Sequence, residues 1–128
     1  MLHALILSHD KSSFKIVETV LQKNGIQTDW SDNRDDALSM LMEEPNELVI
    51  VNERLPGMVC RSFIEKAILT NPMINCIVAS SWDKKEFNHL YGDLGVFMQL
   101  PVAPGQKEAQ FLCEQMKLVF PCPANPSY

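Results

Sequence analysis

Glu47-Leu48-Val49-Ile50-Val51-Asn52-Glu53-Arg54-Leu55-Pro56-Gly57-Met58 is the stretch whose reading decides the fold of this chain. Leu48 to Val51 is a short, unbroken apolar run without alternation, closed by polar residues and a Pro-Gly turn. A run of that kind suits a parallel strand covered on both faces. Three others share its character, Ala4–Leu7, Ile74–Ala79 and Val96–Leu100, and Gln27–Trp30 is a weaker fifth.

The segments between the runs have helical spacing. Lys11 to Asn24 places Phe14, Val17, Val20 and Leu21 on one face, and Asn24-Gly25 supplies a stop. Arg34 to Glu44 carries Ala37, Leu38, Leu41 and Met42, with Asp32 or Asn33 as its cap and Pro45 as its terminator. Cys60 to Thr70 carries Phe63, Ile64, Ala67 and Ile68 and ends before Asn71-Pro72. Lys84 to Tyr91 is short and weakly patterned. Gly105 to Val119 carries Ala109, Leu112, Met116 and Val119. Strand and helix therefore alternate five times. That order predicts an α/β fold, a doubly wound five-stranded parallel sheet with right-handed crossovers and helices on both faces.

The 128 residues fit one hydrophobic core, with 46% hydrophobic and 21% charged residues. The net charge of −5 and the lack of a Lys/Arg cluster argue against nucleic-acid binding. The apolar opening Met1–Leu7 is too short to span a bilayer and has no positive leader, so a cytoplasmic chain with no membrane partner is expected. Cys60, Cys76, Cys113 and Cys122 lack metal-type spacing. The first three sit in apolar stretches and are expected buried as free thiols; Cys122 is expected to be accessible. Residues 1–119 form the domain, and the Pro-rich residues 120–128 read as a tail or linker.

In an open parallel sheet, ligands gather beyond the carboxyl ends of the strands. Those ends are Ser8-His9-Asp10, Asn52-Glu53-Arg54, Ser80-Ser81-Trp82 and Leu100-Pro101. Together with the Leu-Pro-Gly-Met turn and the order of elements, they make residues 2–119 resemble the receiver domain of two-component response regulators. The resemblance implies a flavodoxin-like fold with strand order 2-1-3-4-5. It sets Asn52 at the phosphoacceptor position, His9 and Asp10 at the acidic pair, Ser80 at the hydroxyl switch, Phe97 at the aromatic switch and Leu100 where the family carries lysine.

The departures from the pattern decide what is expected of the chain. In the family the acids and the acceptor aspartate hold Mg²⁺, which requires carboxylate oxygen. Here only Asp10 of the pair is acidic. An acceptor carboxylate attacks phosphorus, whereas the Asn52 amide is uncharged and a poor nucleophile. The lysine would pair with the incoming phosphoryl group, and Leu100 cannot. The resemblance thus implies an atypical, pseudo-receiver signalling domain that is no enzyme and binds no cofactor. It would act in a two-component or phosphorelay system through a protein partner, a signalling component or output domain. A homodimer through the apolar face near Phe97, Met98, Pro101 and Val102 fits the same reading.

Each singled-out residue also has a plainer role. Asp10 serves as a helix cap, and one His with one carboxylate is too few for a metal site. Asn52 is suited to hydrogen-bond Ser80 or nearby backbone, and Phe97 and Trp82 are suited to packing. Ser80 and Ser81 lack a nucleophile-elbow motif, and Ser12-Ser13 lack the glycines of a phosphate cradle. Two alternatives stand beside the main reading. One is the receiver portion of a conventional regulator with an output domain fused beyond Tyr128. The other is a small α/β enzyme or cofactor binder using the strand-end pocket, for which no nucleophile–base pair is evident.

Overall fold

A computed structural model describes residues 2–44, 46–55, 57 and 59–119 of the protein. The tail at 120–128, with Cys122, lies outside the described residues. Strand β3 (Leu48–Asn52) is buried at all five positions, as expected of a run with no alternation. It sits at the centre of a five-stranded sheet with β1 (His3–Leu7), β2 (Gln27–Ser31), β4 (Asn75–Ala79) and β5 (Met98–Leu100). The order is β2-β1-β3-β4-β5, and the pairs are parallel. This is the doubly wound arrangement the alternating pattern predicts.

The period of two along each strand sorts the core into two layers. Ile6, Ile50, Ile77 and Leu100 point to one side, where they meet Val17 and Leu21 of α1 (Lys15–Lys23) and Leu112 and Met116 of α5 (Gln106–Val119). Leu5, Leu7, Val49, Val51, Cys76 and Val78 point to the other. There they meet α2 (Arg34–Glu43), α3 (Cys60–Thr70) and α4 (Lys84–Tyr91) through Leu41, Phe63, Ile64, Phe87 and Tyr91.

Local chemistry explains where the boundaries depart from expectation. The first helical segment opens as a 3-10 turn, Lys11–Phe14, because the Asp10 carboxylate draws in Ser12 and Ser13 before α1 begins. Asn33 is the cap of α2; its side chain accepts from the Asp36 N–H at 2.8 Å. Gly25 ends the first helix at φ +79°, a left-handed conformation that favours glycine. The last helix starts at Gln106, one residue later than expected, with Gly105 N–H donating to Glu108 Oε1 at 2.7 Å. The fourth strand begins at Asn75, not Ile74. The fifth covers Met98–Leu100 rather than Val96–Leu100; Phe97 keeps one bond to β4, from its N–H to the Cys76 carbonyl at 2.7 Å. Met42 and Val119, expected on apolar faces, are 75% and 46% exposed.

Candidate functional site

Three buried polar side chains close the carboxyl ends of the three central strands: Ser8 after β1, Asn52 at the end of β3 and Ser80 after β4. The β1–β3 register pairs Leu7 with Val51, so the next residues, Ser8 and Asn52, stand side by side. Asn52 Nδ2 donates to Ser8 Oγ at 3.1 Å, and Asn52 Oδ1 accepts from the Arg54 N–H at 3.0 Å. Ser8 Oγ also accepts from the Asp10 N–H and donates to the Asp10 carbonyl, both at 3.1 Å. The position thus uses a donor and an acceptor from one side chain, which an amide supplies and a carboxylate does not.

His9 and Asp10 are both exposed, and among the described residues neither side chain is hydrogen-bonded to Asn52. Asp10 Oδ1 accepts from Ser12 N–H at 3.1 Å and Ser12 Oγ at 2.6 Å; Oδ2 accepts from Ser13 Oγ at 2.7 Å. The Ser12 hydroxyl first, then that of Ser13, holds this carboxyl below its ordinary value. Asp10 thus serves as the cap its plainer reading gave it, and the side chain bonded to Asn52 is that of Ser8.

Of the two partners expected for Asn52, Ser80 or nearby backbone, the structure shows the backbone one, the Arg54 N–H, and Ser80 bonds elsewhere. Ser80 Oγ donates to Glu53 Oε1 at 3.0 Å and accepts from the Trp82 N–H at 3.0 Å. The other oxygen, Glu53 Oε2, takes the hydroxyl hydrogen of Tyr91 on α4. Burial, then the bond to Glu53, keeps the Tyr91 phenol above its usual range. Cys60, at the start of α3, lies against the same hydroxyl, and burial pushes its thiol up to about 12. Arg61 adds a second tie to α4, donating to the Leu90 carbonyl at 2.7 Å and, through two nitrogens, to the Asp93 carboxylate at 2.8 and 2.7 Å.

Leu100 is 1% exposed and belongs to the core layer under α1 and α5. Phe97 is half-buried against that layer, one residue before β5. Met98 and Val102 are half-buried and Pro101 is exposed, so the apolar face near them is only partly open. Trp82 is not a packing residue: it is 48% exposed on the loop before α4. Gln99 Nε2 donates to its carbonyl at 2.8 Å.

Chemically the arrangement is suited to holding rather than reacting. Ser80 and Glu53 form a hydroxyl–carboxylate pair that sequence reasoning missed, yet Ser80 is 3% exposed and both Glu53 oxygens are engaged. Among the described residues no group of three His, Cys, Asp or Glu is placed to hold a metal ion. Ser8 and Glu53 were among the strand-end positions read from the sequence, as polar breaks after Leu7 and Asn52; only their pairings were missed. Nothing local pointed to Tyr91, whose bond spans 38 positions.

No protein-family model matches the sequence, and no curated protein matches it. Solved structures do. A CheY-like response regulator receiver domain protein from Methanospirillum hungatei JF-1 is 18% identical, with 93% of each chain covered and a TM-score of 0.78. A two-component response regulator from Clostridium difficile is 14% identical over 98% of this chain and 100% of that one, at 0.81. The non-phosphorylated HemR receiver domain of Leptospira biflexa is 15% identical over 94% and 95%, at 0.77. The chain therefore has the fold of response regulator receiver domains.

Proposed function

We propose that the protein is a receiver-like signalling domain that is not phosphorylated by the aspartyl route and acts through contact with a protein partner. The observation that carries this reading is the bonding of Asn52. The acceptor position holds a neutral amide whose two ends are committed to Ser8 and to the Arg54 N–H. Leu100, at the position of the family's lysine, lies in the core, where it supplies no countercharge. Asp10 is committed to its own turn. Nucleophile, countercharge and metal-binding acid are thus all absent or occupied, while the frame of a receiver is kept. What remains for such a frame is binding, biased by a partner rather than by a covalent group. No enzymatic activity is part of the proposal. Among the described residues no helix is long and apolar enough to cross a membrane.

The test is incubation with acetyl phosphate and Mg²⁺ followed by intact mass. The protein is expected to keep its mass; a stoichiometric phosphoryl adduct would overturn the reading.

A further inference from the structure

We infer that Glu53 is a built-in latch that fixes the position of α4 without any added group. Its carboxylate stands at the end of β3 and takes one hydroxyl from each of two other elements: Ser80 at the end of β4 and Tyr91 in the last turn of α4. Ser80 passes the restraint on, since its oxygen also accepts the Trp82 N–H of the loop that leads into α4. The helix is thus tied at both ends, by Trp82 before it and by Tyr91 within it. These two ties converge on one carboxylate, beside the Arg61 bonds to Leu90 and Asp93 and the Gln99 bond to the Trp82 carbonyl. Bonds to a carboxylate are stronger than neutral ones, and more so where water is excluded. Tyr91 and Ser80 are 4% and 3% exposed. The hydroxyl at the position resembling the family's switch is therefore already engaged, and the surface around α4 and Trp82 is presented in one arrangement.

This inference deepens the proposed reading of a domain whose state is not set by phosphorylation. Its test uses no phosphodonor, so its failure would leave that reading standing. Amide hydrogen exchange is followed by peptide in wild type, Tyr91→Phe and Glu53→Ala. Tyr91→Phe removes only the hydroxyl and keeps the ring that packs on Phe87 at a centroid distance of 5.0 Å. Loss of one charge-assisted hydrogen bond is expected to speed local opening about tenfold. Tyr91→Phe should show that rise across residues 81–91, and Glu53→Ala, which removes both bonds, a rise at least as large, while residues 3–7 and 48–51 exchange as in wild type. An unchanged rate across 81–91, or a parallel rise in all segments, would overturn the latch.

Discussion

Asn52 is held in place by what an amide offers at both ends, and that makes its substitution informative. Asn52→Ala removes the acceptor of the Arg54 N–H and the donor to Ser8. Leaving such partners unmatched at a buried position is expected to cost about 1–3 kcal/mol, read from urea unfolding. Asn52→Asp keeps the shape but adds a charge at a position 3% exposed. Burial raises the new carboxyl's folded-state value above its unfolded one of about 3.9, outweighing the single N–H bond from Arg54. The folded state then binds more protons, so stability falls as pH rises from about 4 through that raised value. The variant should match wild type best in acid and be weaker at pH 8; equal stability at both pH values would contradict this. A second prediction concerns the thiols. Burial pushes Cys60 and Cys76 to about 12 and raises Cys113. All three should resist alkylation at pH 8 in the folded protein and label on unfolding, as peptide mapping would show.

Within elements, much was readable because capping and periodicity are local. Asn33 before α2 and Gly25 after α1 stand where their chemistry predicts, and Phe14, Val17, Val20 and Leu21 form the buried face their spacing implied. Asp10 shows both the reach and the limit of that logic. Its capping role was legible, but the turn it caps is 3-10, because two consecutive hydroxyls are gathered by one carboxylate. Its folded value is depressed, so its contribution is full above the ordinary value of 3.8 and is lost as pH falls through the lower folded one. Asp10→Asn keeps a capping side chain without that titration. Its stability should therefore fall less steeply in acid than wild type's, and an identical acid limb would count against the assignment. The ties on α4 were not legible. Arg61 meets Asp93 across 32 positions and Tyr91 meets Glu53 across 38, and no periodicity encodes such pairs.

For the whole molecule, the fold was legible because most strands are short apolar runs with a helix after each, and parallel pairing with crossovers follows from that order; the polar β2, Gln27–Ser31, was the weakest of the signals. Sheet order came from the resemblance to receivers and agrees with the structure. The site was legible in part. Asn52 and Ser80 do stand at strand ends, but they bond to Ser8 and Glu53, because register and not sequence proximity decides which neighbours meet. The same geometry makes the Asn52 position a closed, hydrogen-bonded end of the sheet. The most direct test is the amide NMR spectrum with Mg²⁺ alone and with Mg²⁺ plus beryllofluoride, which mimics a phosphoryl group on an acceptor aspartate. The resonances of Ser8, Asn52, Glu53, Ser80 and α4 should be unchanged by beryllofluoride. Saturable shifts at Asn52 and Ser80 that extend into α4 would contradict the account.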